Sequence, residues 1–454
     1  MKLEGKRVLV VGLARTGIGV VRFLVQQGVR VVGTDIRAAH ELEEYRSAIR
    51  GLDVRTELGE HRIDTFLSVD LIVVSPGVPL DIEPIAAARE KGIEVISEIE
   101  LACRFIGDPI IGVTGTNGKT TTTMLLGHML RRSGKRVFVG GNVGNPLIDC
   151  AGRGKWDYVV AEISSFQLEG IDQFRPHIAL MLNITEDHLD RYPHYDEYVR
   201  AKFRLFSNQR GSDFALLNAD DATINANTSP IKARKCYFSL TSPLKVGTFF
   251  DRDGLIYRDP EGNAERFELV RVALSGIHNV ENMLAAVLAA KICSCPRDSI
   301  QVALDSFRGL PHRLEFVREL EGVRFYNDSK ATNVGSVVKS LMSFPGPIIL
   351  IAGGKDKGGD YAPLKRVVAG RVKRLILLGE AKRRMVKAMG TSVPATSADT
   401  LEEAVHGAFD QSSPGDVVLL SPACSSFDMF RDYEERGDRF KEIVHQLDKG
   451  AQRA

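Results

Sequence analysis

The run Gly112-Val113-Thr114-Gly115-Thr116-Asn117-Gly118-Lys119-Thr120 carries the residue types of a phosphate cradle. Glycines let backbone N–H groups close around an anion. A lysine after the last glycine can reach terminal phosphates, and the next threonine hydroxyl can ligate magnesium. The spacing departs from the usual one. Val113 stands six before Lys119, and glycines stand at 112 and 115 instead. The setting still argues for the chemistry. An apolar, strand-like segment (109–113) precedes the run, and 121–132 places Met124, Leu125, His128 and Met129 at helical spacing.

Other polar runs stand where strands are expected to end. Gly12-Leu13-Ala14-Arg15-Thr16-Gly17 follows the first strand-like segment, and Asp35 ends the second. This is a degenerate dinucleotide fingerprint, with Ala14 in place of the middle glycine and an acid about twenty residues on. It fits NAD, a different nucleotide diphosphate on the same helix N-terminus, or a turn needed only for packing. Ser75-Pro76-Gly77 would add polar groups to that crevice. Glu162 ends a strand and is placed to give a second magnesium contact facing the phosphate loop, the alternative being a helix cap. His188 sits among Glu186, Asp187 and Asp190 in the run 183–191, a position suited to catalysis or metal binding. Lys202 lies in a helix-like run, 196–206, beside Val199, Phe203 and Phe206; taken alone it is a snorkelling lysine. Five further runs, 278–282, 310–313, 327–333, 353–358 and 421–428, follow strands, open a helix or mark a domain break, which suggests a shared cleft.

The elements that must position these residues alternate along the chain. Buried parallel strands are expected at 7–12, 30–35, 71–77 and 94–97, then at 110–113, 136–139, 158–163 and 178–183. A more β-rich insert follows at 214–272, with a helix at 278–291, and strands resume at 323–327, 347–352, 374–378 and 416–420. The expectation is three consecutive α/β domains, 1–98, 99–309 and 310–454, with Rossmann-like first and third domains around a P-loop ATPase-like centre. Length allows about three domains of ~150 residues. Ligands of such sheets bind at the carboxyl ends of strands and between domains.

Bulk composition excludes several classes. With 44% hydrophobic and 26% charged residues the chain is an ordinary globular protein, and a net charge of +2 argues against a nucleic-acid binder. Cysteines 103, 150, 236, 293, 295 and 424 lack the paired spacing of a zinc site, so reduced thiols are expected. No run approaches the ~20 apolar residues of a membrane span. The short run 8–11, soon interrupted by Arg15, suits a first strand and not a signal peptide. A soluble, cytoplasmic monomer is expected.

Together these motifs resemble the Mur ligases, the ATP-dependent amino-acid ligases of peptidoglycan precursor synthesis. The resemblance covers essentially the whole chain. It includes the Gly-Thr-Asn-Gly-Lys-Thr loop, the Glu162-Ile-Ser-Ser-Phe-Gln and Asn183-Ile-Thr-Glu-Asp-His strings, Leu-Pro-His-Arg313, Asn-Asp328-Ser-Lys-Ala-Thr and Ser-Pro-Ala-Cys-Ser-Ser-Phe427. The last string and the Rossmann-like first domain resemble the branch that adds D-glutamate to UDP-N-acetylmuramoyl-L-alanine. The Asp-Asn-Pro-Arg motif of the diaminopimelate- and lysine-adding branches is absent.

The resemblance implies roles by position. Gly12, Ala14, Arg15, Thr16, Asp35, Ile36 and Arg37 would hold the uridine and diphosphate, with Ser75, Pro76, Gly77 and Asn142 nearby. Gly115, Thr116, Asn117, Gly118, Lys119, Thr120 and Thr121 would hold the ATP phosphates, and Asn279, Asn282, Arg313 and Asp328 would close on the adenosine side. Thr120 and Glu162 would bind one magnesium, and His188 with a carbamylated Lys202 a second. The carbamate would turn an ammonium into a carboxylate-like ligand. Lys119, Glu162, His188 and Lys202 would form the catalytic set, while Lys330, Thr332, Lys357, Ser426 and Phe427 would meet D-glutamate. Lys357 is preferred over Lys355 in a string that holds both. Three rivals stay open on the residues alone. A nicotinamide-dependent dehydrogenase would leave the cradle unused, a folylpolyglutamate synthase would not need the first domain, and a nucleotide sensor would not need a full set of metal ligands.

Overall fold

The computed structural model describes residues 3–152, 154–187, 191–272, 274, 276–356, 360–389 and 392–448. His188 and Lys357 therefore lie outside the described residues. The chain divides into two compact units, Met1–Arg271 with Glu281–Ser306, and Val272–Val280 with Phe307–Ala454. The first unit holds two sheets and the second holds one.

The first sheet contains β1 (Arg7–Val11), β2 (Arg30–Asp35), β3 (Val54–Leu58), β4 (Leu71–Val74) and β5 (Glu94–Ser97), in the order β3-β2-β1-β4-β5. All its pairings are parallel. Leu9, Val11, Ile72 and Val74 pack with Phe66 and Ile85 on one face, and Val8, Val10, Leu71 and Val73 pack on the other with Leu13, Ile18 and Val21. Burial on both faces explains why these strands read as unbroken apolar runs. β3 went unforeseen because its sequence, Val-Arg-Thr-Glu-Leu, is polar and lies at the sheet edge.

The second sheet contains β6 (Ile110–Thr114), β7 (Val137–Gly141), β8 (Tyr158–Glu162), β9 (Ile178–Met181), β10 (Phe214–Asn218), β11 (Arg234–Ser239), β12 (Gly247–Asp251), β13 (Gly254–Arg258) and β14 (Ala264–Glu268). Their order is β14-β13-β12-β11-β10-β9-β6-β8-β7, and only β12, β13 and β14 pair antiparallel. The wholly buried β6 lies between β8 and β9, with Val113 opposite Glu162 and Thr114 opposite Met181. That register sets Glu162 beside the start of the phosphate loop. The helix Lys119–Arg132 begins two residues before its expected start and packs closely on β7, where a Cβ on Gly127 would lie 2.5 Å from Val139 Cγ2.

The second unit holds β15 (Glu315–Leu320), β16 (Val323–Asn327), β17 (Ile348–Gly353), β18 (Val372–Leu378), β19 (Ala395–Ser397) and β20 (Val417–Leu420). The order β15-β16-β20-β17-β18-β19 is parallel except for β15. Leu420 pairs with both Asn327 and Ile351, so the segments after β16, β17 and β20 emerge side by side. The edge strands β15 and β19 were also not expected, since charged or exposed residues break their apolar pattern.

Close approach fixes the turn after β1. A Cβ on Gly17, in the first turn of the helix Arg15–Gln26, would lie 1.8 Å from the Gly12 carbonyl oxygen. We expect Gly17→Ala to lower unfolding free energy by about 2 kcal/mol or more, the range of overpacking and backbone strain. Urea unfolding with an unchanged slope would measure it; an unchanged midpoint would refute the steric reading.

Candidate active site

The loop after β6 is held from two sides within the first unit. Gly118 takes a left-handed conformation (φ 85°) at the cap of the helix Lys119–Arg132, and a Cβ there would lie 2.0 Å from Asn282 Oδ1. Only glycine suits that position. The Asn282 oxygen also accepts a 3.3 Å hydrogen bond from Thr122 Oγ1. On the other side, the segment after β9 clamps the loop. Asn117 N donates to Asn183 Oδ1 at 2.8 Å, Asn183 Nδ2 donates to Asn117 O at 3.1 Å, and Thr116 N donates to Asn183 O at 2.9 Å. Thr185 N donates to Thr116 Oγ1 at 3.0 Å, and that hydroxyl lies 3.1 Å from Tyr198 Oη. The loop is thus pre-shaped, and its remaining amides start the helix whose N-terminus favours anions.

Two ammonium groups converge on this loop. Lys119 Nζ donates to Gly115 O and Thr116 O, each at 2.9 Å. Lys202 Nζ donates to the same Gly115 oxygen at 2.9 Å. Lys202 is 1% exposed, on the helix Tyr195–Phe203, and its ammonium lies 4.5 Å from the Tyr198 ring centroid. Burial, and then the neighbouring Lys119 charge, hold its pKa well below the usual lysine value, with Asp187 acting in the opposite direction. Taken alone in sequence Lys202 is a snorkelling lysine; the structure buries it.

Glu162, 2% exposed, accepts from Asn142 Nδ2 at 2.8 Å through Oε1. Its Oε2 is buried and has no hydrogen-bond partner among the described residues. A buried carboxylate oxygen in that condition is costly, and a cation would satisfy it. With the buried Thr120 at the loop's end, the donor set fits a hard cation that takes oxygen ligands. Asn142, expected near the diphosphate, is therefore also tied to Glu162 by its side chain and by its N–H to Glu162 O.

The first sheet builds a second crevice. Gly12 has φ 88°, its N–H donates to Thr34 O, and its carbonyl accepts from Ser75 Oγ at 2.8 Å. Asp35 is 4% exposed and accepts from Leu13 N at 2.8 Å and from Arg37 Nε and Nη2 at 3.0 and 2.8 Å. Burial raises its pKa, but the Arg37 and Leu13 hydrogen bonds outweigh that and hold the carboxyl below its usual value. Asp35 is thus committed to shaping the loop and aiming Arg37. Ala14 caps the helix Arg15–Gln26, while Arg15 and Ile36 are exposed at the rim and Thr16 is half-buried. Pro76 and Gly77 follow Ser75 in the turn after β4.

In the second unit, Asp328 is buried after β16. Its Oδ2 accepts from Ser340 Oγ at 2.6 Å and Ser421 Oγ at 2.7 Å, and Oδ1 from Leu314 N at 3.2 Å. Burial dominates and pushes its pKa up to about 6, with these bonds and Arg313 opposing. Lys330 Nζ donates to Tyr433 Oη at 2.9 Å. Thr332 follows in the same loop, Ser426 is buried, and Phe427 is 66% exposed. Asn279 belongs to this unit and Asn282 to the first, although one helix, Ile277–Ile292, carries both. Asn183, Tyr198 and Tyr433 were given no role in advance. For Tyr198 the sequence does carry a signal: it precedes Lys202 by one helical turn.

Comparison with known proteins covers all three sheets. Family models match residues 6–97 (Mur ligase MurD-like, N-terminal domain), 113–290 (Mur ligase middle domain) and 312–424 (Mur ligase, glutamate ligase domain). A UDP-N-acetylmuramoylalanine--D-glutamate ligase of Geotalea uraniireducens is 52% identical over 100% of both chains. A protein of the same name from Geobacter metallireducens is 51% identical over 99% of each. Among solved structures, a pseudomurein peptide ligase type C from Methanothermus fervidus has a TM-score of 0.63 at 20% identity, covering 98% of this chain and 100% of that one. The UDP-N-acetylmuramate-alanine ligase of Thermotoga maritima has a TM-score of 0.60 at 18% identity, covering 97% and 99%. These two show the fold. Among the described residues, no helix is long and apolar enough to cross a membrane.

The clamp on the phosphate loop is open to test. Asn183→Ala removes a donor and an acceptor from Asn117, a local loss of about 1–3 kcal/mol. Amide exchange across 115–118 should speed up by tens of fold while exchange in the first sheet stays unchanged. Equal protection of the loop in both proteins would mean that Asn183 does not hold it.

Proposed function

The chain belongs to the Mur ligase family, and from that premise we propose that it joins D-glutamate to UDP-N-acetylmuramoyl-L-alanine with ATP as the energy source. The observation that carries the reading is end-to-end likeness, at about half identity, to ligases named for that reaction. The working division is 1–98 for the UDP substrate, 99–309 for ATP and 310–454 for the amino acid. The substrate carboxylate attacks the γ-phosphorus of ATP, the bond to ADP breaks, and an acyl phosphate forms. The D-glutamate amine then attacks the acyl carbon and loses a proton, and phosphate leaves. The product serves peptidoglycan precursor synthesis, which places the enzyme in the cytoplasm.

In this reading the loop Gly115 to Thr121 binds the triphosphate through backbone N–H groups, and Lys119 leaves its carbonyl partners to counter the growing charge on the transferring group. Asn282 and Asn183 keep the loop in shape for that exchange. Asn279, Arg313 and Asp328 serve the adenosine side. Thr120 and Glu162 would hold one magnesium ion, and His188 with Lys202 another. Bound magnesium supplies electrostatic stabilisation of phosphoryl oxygens. An ammonium cannot ligate a cation, so Lys202 takes this role as a carbamate. Its lowered pKa favours the neutral amine, whose lone pair adds to carbon dioxide with loss of one proton to water. In the first sheet, Asp35 aims Arg37, and Arg15, Ile36 and the Gly12 loop receive the uridine diphosphate. Lys330, Thr332, Lys357, Ser426 and Phe427 receive the carboxylates of D-glutamate.

ADP release with UDP-N-acetylmuramoyl-L-alanine should require D-glutamate, with no turnover on L-alanine, L-glutamate, diaminopimelate or folates. Equal rates with L-glutamate would sink the stereochemical assignment. Lys202→Ala should lose most activity, at least about a hundredfold for a lost metal ligand, with partial restoration by small carboxylic acids. Full activity in that variant would remove Lys202 from the mechanism.

A further inference from the structure

Asn183 and Thr185 grip the phosphate loop in part through peptide groups that are themselves held from behind. The peptide joining Asn183 to Ile184 accepts from Thr116 N through its carbonyl at 2.9 Å, while its N–H donates to Asp221 Oδ2 at 2.8 Å. The next peptide donates from Thr185 N to Thr116 Oγ1, and its carbonyl, Ile184 O, accepts from Tyr195 Oη at 3.1 Å. On the other side of Asn183, the Leu182 carbonyl accepts from Asn218 Nδ2 at 2.9 Å. Asn218 ends β10, and Asp221 follows in the turn after it. The second Asp221 oxygen caps the helix Ala222–Ala226 by accepting from Ile224 N at 2.9 Å.

A peptide that donates to a carboxylate offers a stronger carbonyl acceptor, since successive hydrogen bonds polarise one another. The Asp221 carboxylate, the peptide 183–184 and the Thr116 amide form such a chain, running from the end of β10 across the end of β9 to the loop after β6. We propose that Asp221 is a positioning residue for the phosphate site: it fixes the peptide that holds Thr116 and so keeps the loop 115–118 in the shape that receives phosphates. Tyr195 does the same for the following peptide, and it opens the helix Tyr195–Phe203 that carries Lys202. A charged acceptor makes the stronger bond, so Asp221 contributes more than Tyr195. The inference rests on the reading that this loop receives the ATP phosphates.

The test compares the full-length protein with Asp221→Ser, in which a shorter hydroxyl keeps the helix cap and leaves Ile184 N without its acceptor. Asp221→Asn, with one acceptor oxygen for two N–H groups, gives the same readout should the serine variant not fold. Amide exchange across 115–118 should speed up about tenfold or more, with exchange in the first sheet unchanged. Calorimetry with ATP and magnesium should show about tenfold weaker binding, while KM for D-glutamate stays unchanged. Tyr195→Phe should act in the same direction and more weakly. Asn183→Ala should add less acceleration to Asp221→Ser than it brings to the unmodified protein, because both changes act through one clamp. Unchanged loop exchange in both Asp221 variants would overturn the role of Asp221 alone. Full additivity with Asn183→Ala would overturn it too, as would equal acceleration in the loop and the first sheet, the mark of general destabilisation. An unmodified protein that binds no ATP would overturn the phosphate reading of the loop, and this proposal with it.

Discussion

The carbonyl oxygen of Gly115 accepts hydrogen bonds from two lysine side chains, and the phosphate loop is built around that convergence. One lysine comes from the helix that the loop starts, the other from a helix further along the chain. Bringing two cations to one oxygen in a buried place is unfavourable, and the lowered pKa of Lys202 records the cost. The protein supports it with rigid surroundings: a loop clamped by Asn183 and Thr185, a tyrosine ring beside the second ammonium, and a glycine that lets Asn282 approach. A site prepared in this way is least stable when empty of negative charge. Loss of the Lys202 proton relieves the repulsion, and the neutral amine it leaves is the form that takes up carbon dioxide in the proposed function.

Glu162 shows the same logic with the sign reversed. One oxygen is satisfied by Asn142 and the other is left buried without a partner among the described residues. The loop on which the two lysines converge follows β6, and the half-satisfied Glu162 ends its paired neighbour β8. Their mismatch with the rest of the core is the mark of a site shaped for ligands and not for stability.

The chain discloses its fold more readily than its site. Strands buried on both faces appear as unbroken apolar runs, so β1, β4, β6, β9 and β17 were legible, whereas the polar edge strands β3, β15 and β19 were not. The strand-end position of Glu162 was legible as well, because the apolar run before it marks β8. Lys202 was harder. Helical spacing marks which side of a helix is apolar, but it does not separate a side chain lying over that side from one running into the core. Tyr433 was invisible because it lies about a hundred residues from Lys330 and only tertiary folding joins them. Phe427, at the end of a distinctive string, proved to be exposed, while the tyrosine beyond it meets the lysine. His188 and Lys357 fall outside the described residues.

The pairing of Val113 with Glu162 also bears on which changes of length this chain can tolerate. Side chains of a strand alternate between faces, so adding or deleting one residue inside β8 would swing Glu162 to the opposite side of the sheet. The same change in the connection between β7 and β8 would leave the pairing intact, since loops absorb length at little cost. Across descendants of this sequence, gaps should therefore gather in the connection 142–157 and be missing from 158–162. Drift in composition is affordable in much of the sheet; drift in phase is not.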